Sequence, residues 1–444
     1  MQASNGSPKS RDKITVSIPI NTSLDLLAEK STGDHAKQPE KEKGRIEQTP
    51  KFVLVREYLQ KRYDFRVNTI LMNLEYRPKN EKVWSVLNEN DLICELLEAG
   101  FTGIDKMLLA FLASNHIARY NPCKVYFEGL GPWKPGDADH IANLAGFVEA
   151  KDPDWFLLQF RKMLVRSAAC VLGKIPFNKH CFTLVGKQND GKTSFLRFLC
   201  PPALSDYFKE NLDIQNKDGR LALCQNFFIN LDELATLSRH DINQIKSFFT
   251  IDKVKERLPY ARKPETFPRI ASFVASTNKS EFLTDETGNV RWLVFETDGI
   301  RHDNGGKNGY GANVNIDQVW AQAFYLLQSG FNFNLTPEEL AKSELNNRNF
   351  QLTTAEMDLI SRWYSPGKKT DVFLTAADIE EQLGSLTNGR VRVNRVNIGK
   401  ALQMLGFEQC QKFIPAFKQQ RKGYYVVQKF TVEEKTSIGD VTDE

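Results

Sequence analysis

Apolar positions are sparse over the first fifty residues, which mix Ser, Asn, Lys, Glu, Gln and Pro with few aromatic residues. Such a composition buries too little apolar surface to offset chain entropy, so residues 1–50 read as a disordered leader. From Phe52 the pattern turns globular. FVLVREYLQKRY has helical spacing, FRVNTILMNLEYR reads as two short strands around a turn, and two more helical stretches follow near 91–99 and 106–118. The segment YNPCKVYFEGLGPWKPGDADH carries Pro and Gly at close intervals and reads as a loop-rich connector. Residues 51–150 are therefore expected to form a mostly helical domain. Helical periodicity returns in WFLLQFRKMLVRSAACVLG, and between 181 and 296 the signal changes to buried strands. CFTLV, NFFINL, IASFVAST and RWLVFE are apolar runs of strand length separated by polar or helical segments such as SRHDINQIKSFF. That alternation predicts an α/β sheet domain over 151–330. HDNGGKNGYGANVN, residues 302–315, reads as a Gly- and Asn-rich loop or boundary, 319–328 as a helix and 346–353 as a linker. No repeat of fixed period is present.

The remainder, 331–430, is expected to be a separate basic domain before an acidic tail at 431–444. TAADIEEQL and VNRVNIGKALQMLGF read as two helices and FIPAFKQQRKGYYVV as a hairpin. Ile398, Ala401, Leu402 and Leu405 fall on one helical face, which leaves Arg395 and Lys400 accessible on the others.

Composition narrows the class. The chain has 444 residues, which at ~150 per domain suggests about three domains. Fifty-nine Lys and Arg against fifty-five Asp and Glu leave a net charge of +4, too near neutral for a polybasic protein as a whole. Basic surface is local instead: residues 361–430 hold twelve Lys or Arg and five Asp or Glu. With Lys418, Arg421 and Lys422 at the hairpin tip, this layout reads as a winged helix-turn-helix that binds DNA, with protein interaction by the same fold as the alternative. The longest apolar stretch, 107–113, is far short of the ~20 residues of a membrane span. MQASNGSPKSRDK lacks the apolar core of a secretory signal, so a cytoplasmic protein without membrane contact is expected. Seven Cys without a C-x-x-C pair and six His have no zinc-binding spacing and read as reduced, mostly buried thiols and ordinary imidazoles.

One motif carries specific chemistry. Gly186, Lys187, Gln188, Asn189, Asp190, Gly191, Lys192 and Thr193, followed by Ser194, fit G-x-x-x-x-G-K-[ST] between the strand CFTLV and the helix TSFLRFLC. Glycines let the backbone amides face an anion, Lys192 reaches the β and γ phosphates of ATP, and the Thr193 hydroxyl ligates Mg²⁺. Some forty residues on, the run Phe227 to Leu231 ends in Asp232 and Glu233. There Asp232 is expected to hold the Mg²⁺ shell and Glu233 to polarise the attacking water, against the alternative of an acidic pair capping a helix. Asn278 closes the strand IASFVAST as a candidate sensor of the γ-phosphate or as a turn-closing Asn. Arg291, in GNVRW, could neutralise phosphoryl charge across a subunit interface or form a structural ion pair.

The order GKQNDGKTS, NLDEL, RLPYARKPETFPRIASFVASTN and TGNVRWLVFE resembles the P-loop domain of the virulence-associated protein E family, itself similar to superfamily three helicases of phages, plasmids and integrated elements. The resemblance covers about residues 115 to 300. It implies an AAA+-like P-loop NTPase core, with Lys192 and Thr193 on phosphate and Mg²⁺, Asp232 and Glu233 as the hydrolytic pair, Asn278 as sensor and Arg291 as finger. Such proteins often carry two adjacent Arg after Gly-Asn, and Val290 stands at the first of those positions here. In similar helicases a basic hairpin grips single-stranded DNA at the place of DKVKERLPYARKPETFPR, where Lys253, Lys255, Arg257, Arg262, Lys263 and Arg269 are interleaved with Tyr260 and Phe267. A solvated charged face is the alternative. The expected protein is an ATP-hydrolysing, DNA-associated motor, helicase-like, forming a homo-oligomeric ring such as a hexamer and replicating a mobile element. No primase motif is present, so a primase partner would be another chain. A non-motor nucleotide-binding DNA regulator is the main rival; a P-loop kinase fits the long flanks and basic C-terminal part less well.

Overall fold

The computed structural model describes residues 49–213, 216–232, 234, 239–257, 263–279, 281–283, 289–351, 354–415 and 418–430. The expected leader (except residues 49 and 50), the expected acidic tail, Glu233, Tyr260 and Arg262 lie outside the described residues.

A first unit comprises α1 (Lys51–Arg62), β1 (Tyr63–Asn68), β2 (Asn73–Pro78), β3 (Ser85–Val86), α2 (Glu89–Glu98), α3 (Asp105–Leu112) and β4 (Ala118–Tyr120). Its strands form one sheet in the order β3-β2-β1-β4, so the segment expected to be mostly helical is a mixed α and β unit. Alternation in β1 is the cause: Phe65 and Val67 pack on the cluster of Leu59, Leu92 and Phe111, whereas Arg66 and Asn68 turn away to hydrogen-bond Glu75.

The central unit follows, with α4 (Pro122–Gly129), α5 (His140–Ala145), β5 (Val148–Ala150), α6 (Pro153–Val171), β6 (Cys181–Val185), α7 (Lys192–Phe198), β7 (Phe208–Glu210), α8 (Lys217–Gln225), β8 (Phe228–Leu231) and α9 (Arg239–Phe248). It continues through β9 (Lys253–Glu256), β10 (Glu265–Pro268), β11 (Ser272–Thr277), β12 (Trp292–Ile300), α10 (Tyr310–Asn313), α11 (Ile316–Gln328) and α12 (Pro337–Arg348). The expected connector contains α4, because Asn121 caps it by accepting from the Lys124 amide at 2.9 Å and Pro122 suits the first helical position.

Six strands form one sheet in the order β5-β12-β6-β11-β8-β7, parallel throughout except that β5 runs antiparallel to β12. All residues of β6, β8 and β11 are buried, as parallel strands covered on both faces must be. Phe182, Leu184, Phe228 and Val274 join one core with Phe160 of α6, Phe195 of α7 and Trp320 of α11. Val185, Ile229, Leu231 and Phe273 join the core on the opposite face, with Leu223 of α8 and Ile245 of α9. The parallel register sets the carboxyl ends of β6, β11 and β8 along one edge, with β11 between the other two.

Helix α12 also belongs to this sheet: Asn346 donates to the carbonyl of Val294 at 2.8 Å and Asn347 to that of Trp292 at 2.9 Å. The stretch 346–353 expected as a linker therefore begins inside a helix bonded to β12. Beyond it, α13 (Ala355–Trp363), β13 (Tyr364–Pro366), β14 (Val372–Leu374), α14 (Ala376–Leu386), α15 (Arg395–Met404), β15 (Gln409–Ile414) and β16 (Gln419–Gln428) enclose their own core, which includes Ile360, Leu383, Ile398, Leu402 and Tyr424. Strand β16 pairs antiparallel with β13, β14 and β15. Among the described residues no helix is long and apolar enough to cross a membrane.

Candidate nucleotide site and nucleic-acid surfaces

The loop between β6 and α7 owes its shape to two glycines. Gly191 has φ +79°, a left-handed conformation that a side chain resists, and an added Cβ would lie 2.5 Å from Cδ2 of His302. A Cβ on Gly186 would lie 2.7 Å from Thr297 Oγ1, so β12 approaches the start of the loop closely. Lys192, the first residue of α7, folds back along the loop: its Nζ donates to the carbonyl of Gly186 at 2.9 Å and to that of Lys187. Burial lowers its pKa, opposed by the charges of Asp190 and Asp232.

A polar chain crosses from this loop to the acidic strand. Thr193 donates from Oγ1 to Asp232 Oδ1 at 3.0 Å, Ser276 at the end of β11 donates to the same oxygen, and the two hydroxyls are 3.3 Å apart. Asp232 directly follows β8, so one intervening strand separates it from the loop and Ser276 fills that gap. A cavity of about 750 Å³ opens over this group. Gln188, Asn189, Asp190, Gly191, Lys192, Thr193 and Ser194 line it, together with Asp232, Ser276, Thr277 and Asn278. The cavity lining does not include Gly186 and Lys187, whose carbonyls receive the Lys192 ammonium.

The opposite wall had no signal in a motif. It consists of His302, Asn304, Gly305, Tyr310 and Gly311, from the segment that reads as a loop or boundary. Its density of Gly and Asn was the available cue, since such residues allow the left-handed turns found at Asp303, Asn304 and Gly305. Arg291 is not part of the cavity. It ends a 3₁₀ turn just before β12, and β12 begins in register with Cys181, the first residue of β6, at the edge of the sheet away from the loop.

The basic surfaces lie elsewhere. Strands β9 and β10 form an antiparallel hairpin in which Lys253 pairs with Pro268 and Glu256 with Glu265. Lys253, Lys255, Arg257 and Lys263 are exposed, and Phe267 packs partly buried against the core. Arg269 differs from the expectation of a basic DNA contact. It is 1% exposed, and its guanidinium donates to carbonyls of Asn178, Phe248, Phe249, Ile251 and Ala271. In the last unit Arg395 is exposed but bonded to Glu380 at 3.0 Å, Lys400 and Lys422 are exposed, and Arg421 is half-buried on β16. Ile398, Ala401 and Leu402 are buried as the spacing predicts, and Leu405 is half-buried.

Against known proteins, residues 133–352 match the model of the virulence-associated protein E-like domain. No curated protein matches the chain. Among solved structures, the apo NrS-1 C-terminal region (305–718) aligns with 14% identity and a TM-score of 0.46, covering 86% of this chain and all of that one. The SCCmec type IV Cch active helicase aligns with 14% identity and a TM-score of 0.38 over 85% of this chain and 94% of that one. The JCV helicase aligns with 12% identity and a TM-score of 0.27 over 62% and 76%. The chain thus carries a virulence-associated protein E-like domain at residues 133–352.

Proposed function

We propose that this chain is an ATP-hydrolysing, DNA-associated motor of helicase type that serves replication of a mobile element in the cytoplasm. The observation that carries the reading is the convergence of Lys192, Thr193, Asp232 and Ser276 beneath one cavity at the carboxyl edge of a parallel sheet. Backbone amides of the loop and the Lys192 ammonium receive the phosphates, a role in which the ammonium exchanges its two loop carbonyls for phosphate oxygens. The hydroxyls of Thr193 and Ser276 and the Asp232 carboxylate form a set of hard oxygen donors of the kind Mg²⁺ takes. Bound there, Mg²⁺ would neutralise charge on the β and γ phosphates. Glu233, next along the chain, is assigned to the attacking water, and Asn278 at the cavity rim to the γ-phosphate end.

Arg291 belongs to a neighbouring subunit's site in this reading, because it directly precedes β12 at the sheet edge away from its own cavity. A ring such as a hexamer supplies that neighbour. The hairpin with Lys255 and the adjoining Arg257 faces single-stranded DNA in the channel of such a ring, and Arg262 is assigned to the same contact from the sequence alone. The unit of α13 to β16 acts as a winged helix, with Lys400 on α15 and Arg421 and Lys422 on the wing meeting duplex phosphates. Arg395 contributes less than its position implies, since Glu380 already neutralises it. Primer synthesis falls to a separate primase.

Steady-state ATP turnover with and without single-stranded DNA tests the reading. Stimulation by DNA in the wild type, with no turnover in Lys192→Ala, is expected. ATP binding without turnover under either condition would assign the chain to nucleotide-dependent DNA regulators instead.

A further inference from the structure

The wall formed by residues 302–311 has no role in the mechanism above, yet His302 stands in contact with the phosphate loop. An added Cβ on Gly191 would meet the His302 ring at Cδ2, Cγ and Nε2, at 2.5, 3.0 and 3.3 Å. The ring is held in place from behind. Its Nδ1 accepts the amide of Asn304 at 3.1 Å, so in the neutral imidazole the proton sits on Nε2, which is then the donor. The loop around it is closed by Gly305 N–H to the His302 carbonyl at 3.0 Å and by Asn308 N–H to Asp303 Oδ2 at 2.9 Å. A side chain on Gly309 would come within 2.2 Å of the His302 carbonyl oxygen, which keeps this turn tight. Tyr310 is occupied differently: its ring packs edge-on to Phe195 at 5.4 Å as part of the core.

Strand order tells which end of a nucleotide meets His302. Asp232 directly follows β8, Ser276 lies near the carboxyl end of β11 and Asn278 directly follows it, all on one side of the loop strand β6, and they mark the metal and γ-phosphate end. His302 follows β12, on the other side of β6. We infer that His302 holds the nucleoside end of the bound nucleotide, with Nε2–H donating to an acceptor on the sugar or base and the ring edge packed along it. This inference rests on the nucleotide reading above and adds a binding residue that the phosphate-loop motif does not contain.

Titration calorimetry with MgADP and with magnesium tripolyphosphate, which has phosphates but no nucleoside, separates the possibilities. Loss of one neutral hydrogen bond and its packing predicts that His302→Ala weakens MgADP binding about tenfold. Tripolyphosphate affinity should stay within about twofold, and this unchanged arm also reports that the loop is still folded. His302→Gln, whose amide can donate, should recover part of the MgADP loss. Equal losses for both ligands, or no loss for MgADP, would overturn the assignment. If the wild type binds neither ligand, the nucleotide reading itself fails and this inference with it.

Discussion

Ser276 shows how much of the site depends on a single hydroxyl. It donates to Asp232 and lies 3.3 Å from the Thr193 oxygen, so it fixes the carboxylate to which Mg²⁺ is assigned in the proposed mechanism. Ser276→Ala is expected to lower ATP turnover by tenfold or more, on the order of 1.4 kcal/mol, with a smaller change in nucleotide affinity; single-turnover kinetics beside equilibrium binding checks the split. Lys192→Ala should abolish nucleotide binding while circular dichroism shows the fold retained, because in the proposed site the ammonium receives phosphate and in its absence bonds only two carbonyls of its own loop. A different residue contributes to acid sensitivity. His180 is 5% exposed, both its ring nitrogens are buried without a partner, and burial with the nearby Arg166 charge pushes its pKa from 6.5 down to about 2. The unfolded chain then binds the extra proton between those values, so this contribution to stability is full above pH 6.5 and falls as the pH drops below it. Urea unfolding at pH 7 and pH 5 should show His180→Leu losing about 2 kcal/mol less than the wild type over that interval. Asp232 and Lys192 were legible in the sequence because a strand end and a loop motif announce them. Ser276 and His302 were not, since their place depends on which strands become neighbours.

Among the elements, α14, α15 and the β15–β16 hairpin lie where the periodicity puts them, whereas the helix expected near 106–118 ends at Leu112 and Ala118 begins β4. Reading failed where one residue type serves two purposes. Pro and Gly in 120–140 suggest a connector, yet Asn121-Pro122 is a helix start. Arg269 looked like one more cation in a basic run, yet five carbonyls converge on its guanidinium. The strand signals in 63–78 were read correctly, but short strands paired with distant β4 give a sheet that a local pattern does not reveal. The C-terminal core also moves the useful cut point: Leu359, Ile360 and Trp363 of α13 are part of it, so the unit begins before Ala355. A chain ending at residue 353 should keep basal ATP turnover and lose duplex DNA binding, as filter binding or fluorescence anisotropy would report. In the full chain, Lys400→Ala with Lys422→Ala should flatten the dependence of log affinity on log salt by about 2, at ~0.9 counterions per phosphate contact. An unchanged slope would move duplex recognition off α15 and the β15–β16 hairpin.

At the scale of the whole molecule the account requires more than one chain. Arg291 directly precedes β12, whose first residue is in register with the far end of β6, about five residues or ~16 Å along the strands from the phosphate loop. Arg291→Ala should therefore lower turnover far more than nucleotide affinity, and mixing it with Lys192→Ala should restore partial activity through interfaces that combine an intact loop with an intact Arg291. Light scattering in the presence of ATP should report an oligomer, and a fully active monomer would remove the shared site. The central claim, that ATP hydrolysis moves this protein along DNA, is tested most directly by strand displacement from a forked duplex. Displacement is expected to need ATP and Mg²⁺, to disappear in Lys192→Ala and to fail with a non-hydrolysable analogue. ATP turnover that proceeds at full rate on the fork while both strands stay annealed would contradict it.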